Sequence, residues 1–270
     1  MPEIDEIIKE YDNYMPPLSE PMARALEAIR APQADTRALS RLLLQDTILA
    51  SKTFKLVNST YFSGTSRQLT SINKALMSLG AMKVKNIIIA LVLQKFYDDE
   101  GPKNLFSHSI ACATACEFLA KEYKTINADD AFILGFLHDI GMVIFKSKHG
   151  EEYIKLHNES KGDYETLLKQ EKELYGISHC EIGARLCEKW NMPKILVDTI
   201  RYHHFPKEAK IPFAAGIVYL ADRIVSVKPD IMEVNQDVLE YLQVSFTDTV
   251  NLREKILAKS NIFLKELSDF

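Results

Sequence analysis

Apolar residues recur every three or four positions along almost the whole 270-residue chain. That spacing predicts helices, each burying one face. No stretch alternates apolar and polar residues in the manner of a half-buried strand. Helices are expected over residues 3–13, 19–30, 35–44, 46–58, 71–79 and 83–97. Ser19, Asp35 and Asp46 are good N-caps, and Gly80 is a good C-cap. The acidic DDEGP at 98–102 follows, and its Gly and Pro make it the best linker candidate. Beyond it helices are expected over about 104–123, 129–147, 151–161, 163–174, 178–191, 193–204, 211–227, 235–243 and 247–267. The predicted fold class is all-α, a multi-helix bundle. It divides into an N-terminal helical subdomain (1–98), a second helical subdomain (99–228) and a helical tail (229–270) that packs on the body or forms a dimer contact.

Composition adds exclusions. Apolar residues make up 47% and charged residues 26%, ordinary for a soluble globular protein. A net charge of −4 and a pI near 6.0 argue against general nucleic-acid binding, which needs a basic field. The opening MPEIDEIIKEYDNY is acidic and amphipathic, unlike a secretory signal. The densest apolar run, IIIALVL at 87–93, is too short to cross a bilayer. Cys112, Cys116, Cys180 and Cys187 form no CxxC pair and read as reduced core thiols. A cytoplasmic protein without membrane contact is expected.

Candidate chemistry lies on the inward stripes. His108 shares a face with Ala111, Cys112 and Ala115; His138 lies over Leu134 and Gly135, with Asp139 next to it. His179 aligns with Ile182, Gly183 and Leu186; His203 and His204 continue the stripe of Leu196, Val197 and Ile200; Asp222 continues that of Ala215 and Val218. One such histidine is ordinarily a core side chain with a hydrogen-bond partner. Five segments that each carry one are better explained if the groups converge, because an unpaired buried carboxylate costs several kcal/mol. They would satisfy one another around a cation or in a polar network. Imidazole with carboxylate suits Fe or Mn, and also Zn or Ni, rather than Ca or Mg alone; a polar network would need no cofactor. His149 and His157, in the charged KSKHGEEYIKLHNESKGD, read as solvated.

The order His108, His138-Asp139, His179, His203-His204, Asp222 resembles the HD superfamily of metal-dependent phosphohydrolases, and the paired histidines resemble its HD-GYP branch. The first half, with LVNSTYF at 56–62 and ALMSLG at 75–80, resembles the HDOD module of bacterial signalling proteins. The resemblance covers roughly residues 14–225. It implies an HD-like helical fold and a regulatory role through a signalling partner protein, a small nucleotide ligand or a homodimer. For the residues it implies His108, His138, Asp139 and Asp222 as one ligand set. His179, His203 and His204 would be further ligands, with Asp222 able to bridge. Three departures count against catalysis: Met142 where HD-GYP has lysine, Asn104 where it has glutamate, and FPKEAKIP in place of the GYP signature. In a hydrolase, Asp139 would be the central residue and Arg201 or Lys146 would meet phosphate.

Overall fold

A computed structural model describes residues 4–14, 47–59, 71–100, 104–160, 162–226 and 234–268, with Ala23, Glu27 and Leu43 as isolated positions. Apart from those three positions, the helices expected over 19–30 and 35–44 lie outside the described residues, as does the end of LVNSTYF. Among the described residues every regular element is helical. The helices are α1 (Ile4–Tyr11), α2 (Thr47–Val57), α3 (Ile72–Leu79), α4 (Ala81–Glu100), α5 (Leu105–Tyr123), α6 (Ala128–Leu137), α7 (Ile140–His149), α8 (Glu151–Glu159), α9 (Tyr164–Tyr175), α10 (His179–Lys189), α11 (Lys194–Tyr202), α12 (Pro212–Ser226), α13 (Gln236–Leu242) and α14 (Phe246–Ser268). A 3₁₀ turn at Pro206–Glu208 links α11 to α12. Helix α4 runs three residues into DDEGP. No described helix is long and apolar enough to cross a membrane.

Helix α5 is the central strut, packed most extensively on α6 and also on α12 and α14. Small residues set the spacing. A Cβ at Gly135 of α6 would lie 2.6 Å from Cys116 Sγ and 2.8 Å from the Cys112 carbonyl oxygen, so only glycine allows this approach. The same device joins α7 to α10, where Gly141 faces Gly183 and the His179 carbonyl. The tail packs on the body: Ile256 and Phe263 of α14 are buried, and Phe263 meets Phe132 of α6.

Several ends are locally encoded. Asn127 caps α6 by accepting from the Asp129 and Asp130 amides. Ser178 and Glu181 form a capping box on α10, fixing the turn that begins at His179.

The sequence reading of a single helix over 129–147 is corrected by the structure. The chain breaks between Leu137 and Ile140, leaving His138 as the C-cap of α6 and Asp139 as the N-cap of α7. Neighbouring side chains on an unbroken helix diverge by about 100°. The break turns His138 and Asp139 into the same interior, with Nε2 and Oδ2 3.0 Å apart. Four cysteines are buried and free.

Candidate metal centre

All seven sequence-predicted side chains meet at one interior point. From α5, His108 places Nε2 3.3 Å from His138 Nε2, 3.4 Å from Asp139 Oδ2 and 3.3 Å from Asp222 Oδ1. From the other side, His179 Nε2 and His203 Nε2 lie 3.6 Å and 3.5 Å from Asp139 Oδ1. His204 completes this group, its ring 4.0 Å from that of His203. Asp139 therefore faces two sets of imidazoles, one with each oxygen. Asp222 sits on the outer side and accepts from Ser226 Oγ at 2.7 Å. Of the two carboxylates, Asp139 is the one with imidazoles beside both of its oxygens.

The rings are oriented by hydrogen bonds on their far nitrogens. His138 Nδ1 pairs with the Gly135 carbonyl at 2.8 Å, and His203 Nδ1 with the Ile200 carbonyl at 2.7 Å. His179 Nδ1 donates to Glu171 at 2.8 Å, and Glu171 also accepts from the His179 amide and the Tyr153 hydroxyl. Each of these three bonds leaves Nε2 facing inward. A histidine that ligates a metal ordinarily has its other nitrogen held by a carboxylate or carbonyl in this way.

Burial opposes charge on every group here, and for all but His204 the neighbours override it. His138 and His203 are pushed up to about 10, the former by Asp139 and the latter by Cys180 and Asp139. His108 is raised well above the usual histidine value by Asp139 and Asp222. Asp139 is held well below the usual carboxylate range by His138 and His108, and Asp222 is also lowered, by His108. His204 goes the other way: burial and the positive charge of His203 and His179 hold it well below. The two carboxylates thus demand positive charge, which protons on imidazole supply or a cation could.

Two details fit a cation better than protons alone. Asp139 Oδ1 is buried without a hydrogen-bond partner, and both ring nitrogens of His204 lack one. Such orphans cost about 1–3 kcal/mol each. Their donor chemistry, imidazole and carboxylate, is that of Fe, Mn, Zn or Ni sites.

A cavity of about 360 Å³ opens on the cluster, with His108, Asp139, His204 and Asp222 at its floor. Its walls include Asn104, Met142, His157 and Tyr164, whose ring stacks on His204 at 4.5 Å. Neither lysine nor arginine is among the described lining residues. Arg201 pairs instead with Glu188, and neither it nor Lys146 reaches the wall.

The sequence suggests that His149 and His157 are solvated; in the structure both are only half-exposed and have protein neighbours. His149 stacks on Tyr175 and bonds the Tyr11 hydroxyl, while His157 lines the cavity. The charged neighbours KSKHGEEYIKLHN conceal one inward stripe carrying Tyr153 and Leu156, both buried. Glu171 and Tyr164 are the functional-type residues that sequence reasoning misses, and Cys180 is one that it weighs as a thiolate ligand but reads as a core thiol. Glu171 sits in the polar run LLKQEKEL, and its only sequence signal is its place one turn after the buried Leu167 and Leu168.

Residues 15–206 match the HDOD domain family. An uncharacterized protein of Treponema pallidum (strain Nichols) is 29% identical over 202 residues, covering 70% of this chain and 37% of that protein. The chain spans about a third of the length of the curated relatives it matches. Among solved structures, an HDOD domain protein of unknown function from Geobacter sulfurreducens superposes with a TM-score of 0.80 at 20% identity, over 98% of this chain and 99% of that one. A presumed phosphohydrolase from Shewanella amazonensis SB2B gives 0.74 at 21% identity, over 97% of both chains. At these identities the two structures show a shared fold.

Proposed function

The chain belongs to the HDOD domain family, and from that premise we propose a regulatory module that holds a divalent transition metal and uses the cavity above it to bind a small anionic ligand of the nucleotide kind. The observation that carries this reading is Asp139: one buried carboxylate facing two groups of imidazoles, with Oδ1 lacking any hydrogen-bond partner. His108, His138, Asp139 and Asp222 would hold one ion, and His179, His203 and His204 would complete a second position. Metal there supplies Lewis acidity toward phosphoryl oxygens.

The remaining walls do different work. Tyr164 lines the cavity with its ring stacked on His204 and the Arg223 guanidinium 5.3 Å from its centroid, which fixes the ring in the wall. Met142 stands where the HD-GYP pattern has lysine, and neither lysine nor arginine is among the described wall residues. Binding without a second phosphate clamp favours recognition over turnover. The bound state is passed on by contact with a signalling partner protein.

A second reading, phosphodiester hydrolysis, is favoured by one observation. The cluster is open, with the His108 side chain 24% exposed at the cavity floor. Purification without oxygen, followed by elemental analysis, tests the common ground: wild type should retain Fe, Mn or Zn, and Asp139→Ala should lose it. A nucleotide panel should then raise the melting temperature only of metal-loaded protein. Turnover of a cyclic dinucleotide that disappears in Asp139→Ala would replace the regulatory reading by the second one. Wild type that takes up no metal under any loading would end both.

A further inference from the structure

The four cysteines are not equivalent. Cys112 and Cys116 of α5 pack against Gly135 of α6, and the Cys116 thiol points to the Ile217 carbonyl at 4.0 Å. Cys187 lies wholly within the apolar core. Cys112 also lies beside one imidazole, that of His138, whereas Cys180, the second residue of α10, faces two: its Sγ is 3.4 Å from His179 Nε2 and 4.0 Å from His203 Nε2. His179, Cys180, His203 and His204 each offer one ligand atom, all within 4.8 Å of one another, and all four side chains are buried. These are the residues of the inner half of the centre. The outer half, His108, His138 and Asp222, offers nitrogen and oxygen only.

Distances decide what the inner set can hold. A tetrahedral zinc site with Zn–N of about 2.0–2.1 Å and Zn–S of about 2.3 Å has neighbouring ligand atoms roughly 3.3–3.6 Å apart. The Cys180–His179 separation is already at that value, and the Cys180–His203 separation needs to close by a few tenths of an ångström. Two of the imidazoles are pre-oriented: Glu171 holds His179 and the Ile200 carbonyl holds His203. The third, His204, has both ring nitrogens without a partner. The capping box of Ser178 and Glu181 fixes the turn that carries His179 and Cys180 together.

We infer that Cys180 is a metal ligand, so that the inner half of the centre is a nitrogen–sulfur site for Zn(II) or another borderline-soft ion, unlike the nitrogen–oxygen site beside it. The inference rests on the metal-holding reading above and goes beyond it in assigning the ligand and the selectivity. Thiolate favours zinc and ferrous iron over manganese or magnesium, whereas the His/Asp half accepts the harder ions. The two halves therefore sort different metals, and one chain can carry a mixed pair. Binding at the inner half releases the thiol proton along with any imidazole protons it displaces.

Cobalt(II) substitution of the full chain reads the ligand directly, since a thiolate–cobalt bond gives an intense near-ultraviolet charge-transfer band that nitrogen and oxygen ligands do not. Wild type and Cys187→Ala should both show the band. Cys180→Ser should lose it while still binding cobalt at the outer half, with its far-ultraviolet circular dichroism unchanged. Should Cys180→Ser fail to fold, zinc-edge X-ray absorption of the wild type answers alone: a sulfur neighbour near 2.3 Å is expected, and a shell of nitrogen and oxygen only overturns the inference. Cobalt that binds wild type without the band, or a band that persists in Cys180→Ser, also overturns it and leaves the metal-holding reading intact. No cobalt or zinc uptake by wild type removes both.

Discussion

Replacing Gly141 by alanine tests the geometry without assuming any ligand. In a free helix this change stabilises by roughly 0.5–1 kcal/mol, because glycine loses more backbone freedom on folding. Here the new Cβ would lie 2.8 Å from the His179 carbonyl carbon and 2.9 Å from the Gly183 nitrogen, and closer still to the His179 carbonyl oxygen. An ordinary contact begins near 3.4 Å, so the carbonyl carbon alone must retreat by about 0.6 Å. Every one of these atoms is backbone, and no side-chain rotation relieves the clash. Helices α7 and α10 have to separate. Overpacking of this sort costs about 1–3 kcal/mol. For a domain of roughly this size that is about 2–12 °C of melting temperature. The same movement carries Asp139 away from His179, whose Oδ1–Nε2 separation is already 3.6 Å. Thermal denaturation followed by circular dichroism gives the first number, and metal content gives the second. The sign is what matters: a melting temperature unchanged or raised in Gly141→Ala would mean that α7 and α10 do not touch here, and the convergence of the site would fall with that contact.

Other outcomes follow from the same geometry. His138 and His203, pushed up to about 10, favour the protonated form at neutral pH, and His108 is shifted in the same direction. Groups raised in the folded state contribute stability that is fully present below the ordinary histidine value of about 6.5 and is lost as pH climbs through the raised values. Metal-free protein should therefore melt progressively lower between about pH 7 and 10. A bound metal must displace those protons, so the increment in melting temperature from added metal should grow over that range; equal increments at pH 6.5 and 9 would contradict this. Glu171→Gln keeps the shape but removes the buried charge that holds His179. Competition with a chromogenic chelator should show metal affinity 10–100-fold weaker, and an unchanged affinity would deny Glu171 a positioning role.

The helical fold and six of the seven cluster residues are legible from the 3.6-residue period, because each shares a stripe with small or aliphatic core positions; Asp139 enters as the neighbour of His138. What escapes has physical causes. Residues Ala131 to Phe145 form one apolar stretch buried on all sides, so no polar face marks the break at His138 and Asp139. Glu171 and His157 lie in charged helices whose inward stripes are narrow, and local composition outweighs period there. Cys180 reads as a small core residue because a thiol's role depends on what stands opposite, and that is fixed by α11, which lies more than a dozen residues further along. Which oxygen of Asp139 faces which ring is equally a property of packing, not of spacing.

That division of one carboxylate has a thermodynamic corollary. An ion taken up on the Oδ2 side withdraws electron density from Oδ1 and repels a second cation, so filling either half weakens the other's grip through the shared anion. Titration with a single metal should proceed in two distinguishable steps, and the half-filled chain becomes a state in its own right. On the metal-holding reading proposed above, a regulator built this way would report how much metal is available as well as whether any is present.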